Sequence, residues 1–498
     1  MKVLLIHPPP FKGARWVRQG RCIIFATPRV RMEFPIFMAY AASILRESGH
    51  SVAVIDATAE ELTLSTVQQR IKSFSPNALI VESIPHTFEG DKLIAELSRQ
   101  VDKEIYSIYY GWQPSARPID VLNNNSIDFA VRGEPEKTLE ELVNSLEQGK
   151  KLDDVKGLSF KENGVIKHNE SRPLLKNIDE LPIPARDLFP LEKYFAVPLG
   201  QITTVVAARG CPYPCIYCST HLIDGSILRA RQPVLVAEEI EEIVHKFKIR
   251  TIFFYADNFT LWGDKKIVEF CKELSSRRLN IRWLTNSRID TLPSDNTLRY
   301  MEKTGCFTIQ FGVESGCLKM VETMKKARNN SECERYIEKI KPNIERTKKA
   351  GIFTKANMLV GFEGENQETI QESVKLIKEA EPDIPIHFYH PVPNPGSVMG
   401  KTAVQKGIIP PDGKGLQYND NEMAMAIGSA WNKCEPSKLI ELQEFANNAT
   451  KLSTTKKLAL GLKLFRHFAI KGDWDIFVNM GKIAIKENVH MINLVEIY

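Results

Sequence analysis

The sequence predicts an α/β protein: a doubly wound parallel sheet, then a partial βα barrel, then a helical C-terminal region. Three observations carry that expectation. β-rich runs alternate with helical periodicity from Met1 to about Gly149, and a second βα rhythm starts near Thr203. Beyond about Gly400 helical periodicity continues without a strand array. The divisions are residues 1–149, a connector over 150–202, a core over 203–399 and a helical region over 400–498. A chain of 498 residues is long enough for about three domains at roughly 150 residues each.

In the first segment the expected strands are Lys2–Ile6, Ser51–Ile55, Ala78–Val81, Ile105–Tyr109 and Ile127–Val131. Helical periodicity separates them at Phe34–Ser48, Leu64–Phe74 and Phe88–Val101, and Lys137–Gln148 follows the last. Strands joined through helices of this length make a parallel sheet with right-handed crossovers. Ligands of such sheets sit beyond the carboxyl ends of the strands. Those ends carry Pro9, Ser83, Ile84, Pro85, Gly111, Trp112, Gly133 and Glu134, residues that also serve as ordinary turn chemistry. In the connector, Asn163-Gly164 between Gly157–Phe160 and Val165–His168 predicts a hairpin.

The core repeats strand and helix from Thr203–Ala207 through Val236–Lys246, Thr251–Tyr255, Lys265–Arg277, Ile281–Leu284 and Asn296–Thr304. Thr308–Val313, Ile337–Ala350, Phe353–Val360, Gln367–Ala380 and Ile386–Tyr389 continue it. Six such units fall short of the eight of a closed barrel.

Basic and acidic residues nearly balance, 66 against 61. That argues against a nucleic-acid binder, which needs basic residues gathered on one face. No apolar run reaches the roughly 18 residues of a spanning helix, and Met1–Ile6 reads as a first strand, not a signal peptide. Nine cysteines, an odd count, fit reduced thiols or metal ligands in a cytoplasmic setting better than a disulfide framework.

One motif is rich in information: Cys211, Cys215 and Cys218, spaced C-x3-C-x2-C after the first core strand. Grouped thiolates hold an iron–sulfur cluster, or structural zinc with His221 completing a Cys3His set. Cys22, Cys271, Cys306, Cys317, Cys333 and Cys434 are scattered and read as packing residues.

With its neighbours, the motif resembles the radical S-adenosylmethionine (SAM) superfamily in its cobalamin-associated branch. The residues that carry the likeness are Phe253–Asn258, Arg288–Asp290, Phe311–Gly316, Leu359–Glu365 and Pro391–Ser397, with Val131–Glu134 and Leu181–Asp187 upstream. The resemblance implies that Cys211, Cys215 and Cys218 hold a 4Fe–4S cluster whose open iron binds SAM. Reduction would split SAM to a 5′-deoxyadenosyl radical, a task in which the protein positions and shields the cofactors. It also implies that Asp257 and Asn258 face the methionine moiety and that Arg288 pairs with the SAM carboxylate. Glu314 would take ribose hydroxyls or the amino group, Val360 and Gly361 would let backbone approach the adenine, and Tyr217 would pack beside Cys218. An electron donor such as flavodoxin or ferredoxin follows as partner, with no nucleic acid.

The N-terminal segment resembles the cobalamin-binding domain of that branch. It lacks an Asp-x-His-x-x-Gly motif, since none of the ten histidines has Asp two residues before it. Over 111–116 (Gly-Trp-Gln-Pro-Ser-Ala) the family more often shows two glycines and a threonine; Trp112 is bulky where the resemblance implies close backbone approach to the corrin, and it either stacks on the ring or marks a degenerate site. The activity implied is methylation of an unactivated carbon of a small molecule or lipid. Radical cyclisation or oxidative ring formation is the alternative enzyme, and a cobalamin- or cluster-binding sensor the alternative class. A methylthiotransferase would need further N-terminal cysteines, and only Cys22 precedes the motif. Residues 451–498 carry eight Lys or Arg against four Asp or Glu among many apolar residues. Such a tail caps a core or makes peripheral contact with a membrane.

Overall fold

The computed structural model describes residues 1–11, 13–18, 26–27, 31–196, 199–384, 386–410 and 427–474, with 476 and 478. Cys22 and most of the tail beyond Trp474 lie outside the described residues. The chain forms two compact units. One is Met1–Tyr194 with Cys218–Arg229 and the described part of Pro393–Asn419. The other is Phe195–Tyr217 with Ala230–Val392 and the described part of Asp420–Tyr498.

In the first unit, β1 (Lys2–His7), β2 (Ser51–Asp56), β3 (Ala78–Glu82), β4 (Tyr106–Tyr110) and β5 (Phe129–Val131) pair in parallel in the order β2-β1-β3-β4-β5. All of β3 and Val3–His7 of β1 are buried, which explains why these strands show no polar alternation. After β2 the chain crosses to the far side of β1 to lay down β3. The winding therefore reverses between β1 and β3, and the loops leaving them diverge around a crevice.

The helices α1 (Ile36–Glu47), α2 (Leu64–Phe74) and α3 (Phe88–Val101) link these strands. α1 is buried without a break from Ile36 to Leu45, while α2 buries only Val67 and Ile71 and is capped by Thr63, which accepts from Thr66 N–H at 3.2 Å. Two short helices after β4, α4 (Trp112–Ala116) and α5 (Pro118–Leu122), were hidden in the sequence by Pro114 and Pro118. α6 (Glu136–Glu147) follows β5. The expected hairpin forms, with Asn163 and Gly164 both at positive φ, but it is more than a connector. Its strands β6 (Leu158–Glu162) and β7 (Val165–His168) extend the first sheet, with β6 antiparallel to β5. β5 is only three residues long, and Leu158 and Phe160 bury their side chains by covering its edge.

The second unit opens with β8 (Phe195–Ala196), antiparallel to β9 (Gly200–Val206). β9, β10 (Thr251–Tyr255), β11 (Arg282–Arg288), β12 (Cys306–Glu314), β13 (Phe353–Leu359) and β14 (His387–Tyr389) then pair in parallel in sequence order. Each strand is added on the same side, so this sheet is singly wound and its twist curls it towards a half-barrel. The helices α7 (Pro233–Phe247), α8 (Asp264–Ser276), α9 (Asp295–Lys303), α10 (Asn330–Lys349) and α11 (Gln367–Ala380) alternate with the strands.

Two C-terminal helices complete the unit, α12 (Pro436–Thr450) and α13 (Thr454–Ile470). α12 serves the last strand: Phe388 N–H donates to Asn447 Oδ1 at 2.9 Å, and Gln443 Nε2 donates to Phe388 O at 2.7 Å. Backbone groups of the β14 edge thus find side-chain partners. From α13, Leu460 packs with Phe353 and Phe468 with Phe307.

The turn into β12 depends on Gly305, which has φ +97° and whose Cβ, if present, would lie 2.0 Å from Ile281 O. Gly305→Ala is expected to cost about 2–4 kcal/mol, combining the left-handed backbone penalty with displacement of a main chain. A urea unfolding midpoint unchanged from wild type would contradict this account of the turn.

Candidate active site

The half-barrel's carboxyl rim is built from the loops that leave its strands. After β9 comes the cysteine loop. Cys211, Cys215, Cys218 and Cys434 are half-buried and in no disulfide, whereas Cys271, Cys306, Cys317 and Cys333 are buried. Burial pushes Cys271 up to about 12 and Cys317 up to about 11, and it raises Cys306 and Cys333 as well. Those four stay protonated and pack. Backbone bonds hold the loop in place: Gly210 N–H donates to Asp257 Oδ2 at 2.7 Å and Ile216 N–H to Met324 O at 3.0 Å. Cys218 Sγ donates to Thr220 Oγ1 at 3.2 Å.

Arg288, at the end of β11, is buried beside this loop. Its guanidinium grips Asp290 through Nε and Nη2, each at 3.0 Å. It stacks 3.5 Å from the Tyr213 ring centroid and points Nη1 at Cys215 Sγ, 3.7 Å away. Burial alone would lower the Arg288 pKa, but Asp290, Tyr336 and Cys215 hold it above the ordinary arginine value. A fixed positive charge beside Cys215 favours the thiolate.

At the end of β12, Glu314 adopts φ +67°, a strained conformation that concentrates at functional sites. Its Oε1 accepts from Lys326 Nζ at 3.1 Å and from Tyr217 OH at 3.3 Å, and Lys326 Nζ also donates to Tyr217 OH at 3.0 Å. Glu314 Oε2 is buried with no hydrogen-bond partner among the described residues. Burial disfavours the charged form of Lys326, but Glu314 and Tyr336 outweigh it and raise its pKa. One carboxylate oxygen is thus engaged by two donors, and the second has none among the described residues.

Tyr217 also meets the next rim element, its ring 5.8 Å from that of Phe362. There Glu365 Oε2 accepts from Gly361 N–H at 2.8 Å and Phe362 N–H at 3.2 Å, folding the loop after β13. Burial pushes Glu365 up to about 7 despite these two donors. Val360 is fully buried and its carbonyl faces His390 Nδ1 at 2.9 Å.

Several residues expected to face a ligand make hydrogen bonds within the protein. Asn258 is fully buried, and its amide bonds Thr260, Ser287, Thr291 and the Arg288 backbone. Asp257 anchors the Gly210 amide, and Arg288 already holds a carboxylate in Asp290. In the first unit Glu134 accepts from Arg229 Nη1 with both oxygens at 2.8 Å and from Leu175 N–H at 2.9 Å. Ser83 donates to Asp91 Oδ2 at 2.8 Å, and Pro85 is buried while Pro9 is half-buried. Gly111, at φ +104°, sits where a Cβ would lie 2.9 Å from Ser83 O. Trp112 is fully buried with Ile84 and Ile223, and its Nε1 donates to Pro395 O at 2.8 Å. Gly133 N–H donates to Ser115 Oγ at 3.0 Å, with open space where its Cβ would be.

Comparison with known proteins decides the family. The model of the radical SAM superfamily matches residues 205–377, and that of the B12 binding domain matches residues 27–143. An uncharacterized methyltransferase of Pyrococcus horikoshii, PH0819, is 30% identical over 412 residues, covering 82% of this chain and 84% of its own length. The chain belongs to the cobalamin-dependent radical SAM enzymes. The enzyme is also 28% identical to an anaerobic magnesium-protoporphyrin IX monomethyl ester cyclase of Rubrivivax gelatinosus, over 77% of this chain and 67% of that one. Its fold matches the radical SAM methyltransferase TsrM of Kitasatospora setae at a TM-score of 0.67 and 17% identity, over 81% of this chain and 76% of that chain. It matches OxsB, a cobalamin-dependent SAM radical enzyme, at 0.63 and 17% identity, over 91% of this chain and 62% of that chain.

As a member the enzyme uses a 4Fe–4S cluster, SAM and cobalamin, and its donor chemistry fits them. The loop offers half-buried thiols, and Glu314 offers an orphaned buried carboxylate oxygen. His7 Nε2, at the end of β1, is a buried imidazole nitrogen with no partner among the described residues. Sequence reasoning missed Lys326, Tyr213 and Tyr336. Lys326 sits in a polar stretch indistinguishable from surface, and the aromatic rings reach Arg288 only through the fold.

Glu365 makes the fold pH-sensitive. Its pKa is raised from 4.5 to about 7 on folding, so the native state holds a proton that the unfolded state releases between those values. The carboxyl's contribution to stability is full below pH 4.5 and is lost as pH rises through about 7. Urea unfolding of wild type and Glu365→Gln across pH 5–8 should diverge, the wild type losing stability relative to the variant as pH rises. Parallel profiles would refute the assignment.

Proposed function

We propose that this enzyme methylates an unactivated carbon of a small molecule or lipid. The observation that carries the reading is the joint match to radical SAM and B12-binding models together with 30% identity to a methyltransferase over 84% of its length. A hopanoid C-3 methylase of Methylococcus capsulatus, 24% identical over 63% of this chain, supports a carbon acceptor. The cyclase relatives favour one second reading, radical ring formation on the same cofactors.

In this reading Cys211, Cys215 and Cys218 hold the cluster by virtue of their C-x3-C-x2-C spacing. Bound in the enzyme, the cluster and SAM supply a hydrogen-abstracting radical, and cobalamin supplies the methyl group. Arg288 stabilises the Cys215 thiolate, with its planar fork clamped by Asp290. Glu314 Oε2 accepts from a hydroxyl or ammonium of SAM, while Lys326 Nζ donates to its Oε1. Tyr217 orients Glu314 Oε1 and shields it from water through Phe362. Gly361 and Val360 offer main chain to the adenine. Reducing equivalents come from a donor of the flavodoxin or ferredoxin type.

Anaerobic reconstitution with iron, sulfide, cobalamin and SAM tests the proposal. Wild type should bind about four irons per chain and the Cys211/Cys215/Cys218→Ala variant almost none. With substrate, S-adenosylhomocysteine and 5′-deoxyadenosine should appear in roughly equal amounts, because one SAM is cleaved and a second donates its methyl. Formation of 5′-deoxyadenosine with little S-adenosylhomocysteine, and a product of unchanged carbon count, would reject methylation in favour of the cyclase.

A lipid substrate would call for peripheral membrane contact, and α13 supports it. Leu458, Leu462, Phe465 and Ile470 of that helix are exposed, although Leu460 and Phe468 pack inward. No helix among the described residues is long and apolar enough to cross a membrane. Flotation with anionic liposomes at low salt should recover the enzyme, and added salt or Leu462→Glu should weaken recovery. Failure of the folded wild type to float would leave α13 as a cap alone.

A further inference from the structure

We propose that Arg288 raises the reduction potential of the cluster through Cys215, and that Asp290 limits how far it does so. The proposal rests on the reading that Cys215 is a cluster ligand, and deepens it. Arg288 Nη1 is a charged donor aimed at a sulfur of the cysteine loop, 3.7 Å from Cys215 Sγ. Lys326, also buried, donates instead to Glu314 Oε1 and Tyr217 OH.

The guanidinium has little freedom to leave that sulfur. Asp290 Oδ1 and Oδ2 accept from its Nε and Nη2, each at 3.0 Å. Its central carbon lies 3.5 Å from the Tyr213 ring centroid and 5.3 Å from that of Tyr336. Tyr336 is fixed in turn, its OH within 2.8 Å of Gly312 O and 3.0 Å of Val313 O. At the root of the side chain, Arg288 N–H donates to Asn258 Oδ1 at 3.3 Å. A planar fork held in this way loses little further entropy when its remaining nitrogen meets a partner.

The arrangement is also polarised. Asp290 bonds the Nε edge, while Nη1 is the part turned to Cys215. The ion pair therefore presents its positive end to the sulfur. Arg288 is 5% exposed and the Asp290 side chain 16%, so water and salt screen this field weakly. In its reduction an iron–sulfur cluster takes one electron from its donor, with no bond made or broken, and gains one negative charge. A hydrogen bond to a ligand sulfur and a neighbouring positive charge both favour the reduced state, which raises the potential. Arg288 supplies both, and the Asp290 carboxylate opposes the second.

Redox titration of the reconstituted full-length protein without SAM tests the assignment apart from turnover. The readout is the electron paramagnetic resonance signal of the reduced cluster. Arg288→Gln should make the cluster about tenfold harder to reduce, a fall of about 59 mV for a one-electron couple. Asp290→Asn should move the potential upwards, because it removes the opposing charge while its amide oxygen still accepts from the guanidinium. Loosened packing would admit water in both variants and shift them alike. If Arg288→Gln takes up no cluster, Arg288→Lys replaces it and should show a smaller fall, since it keeps the charge without the fork. Unchanged potentials, or shifts of the same sign, would overturn the proposal. A potential that holds in Arg288→Gln while SAM binds more weakly would overturn it too, making Arg288 a ligand of the SAM carboxylate. Wild type that takes up no four-iron cluster would overturn the cluster reading itself, and this proposal with it.

Discussion

Parallel pairing is the constraint on which the rest of the structure depends. When every strand of a sheet runs the same way, all carboxyl ends lie on one rim, and the loops leaving them converge there. In the second unit each strand joins on the same side, so the rim curves and gathers Cys211, Cys215, Arg288, Glu314 and Gly361. In the first unit the winding reverses between β1 and β3, and the rim parts into a cleft with His7 on its wall. One pairing rule, applied with two winding directions, produces two kinds of binding edge.

Along these edges polar groups divide into two classes. Asn258, Asp257, Glu134 and Ser83 carry the side chains of ligand-facing residues, yet protein donors and acceptors engage them. Their part is to hold rim loops in register, and buried polar groups so satisfied make one loop conformation strongly preferred. Glu314 Oε2 and His7 Nε2 are different: each belongs to a side chain whose other polar atom is tightly engaged, while this atom has no partner among the described residues. Glu365 Oε1 and Asp91 Oδ1 share that half-satisfied state.

Strand and helix order was legible because buried parallel strands and amphipathic helices leave strong local patterns, as in Thr251–Tyr255 and Gln367–Ala380. The cysteine spacing was legible for the same reason, being local. Features that stayed hidden depended on distance in sequence. The hairpin's role as a sheet edge needed β5 to be short, the Lys326–Glu314 pair spans a loop and a helix, and His7 meets Asp56 only across the β1–β2 ladder. The internal bonding of Asn258 was equally hidden, because its type suits ligand and scaffold alike and its partners lie about 30 residues on.

The buried cysteines have a consequence for how the protein survives its own chemistry. With Cys271, Cys306, Cys317 and Cys333 held protonated inside the fold, they are poor nucleophiles and poor competitors for incoming iron. A nascent chain that has folded therefore presents its described thiols unequally to the cell's iron and to its oxidants. Should oxygen dismantle the cluster, the half-buried sulfurs of the loop and Cys434 are exposed to sulfenic acid formation before the four buried ones. The strands and helices that hold those four would keep their packing while the loop is reduced and reloaded.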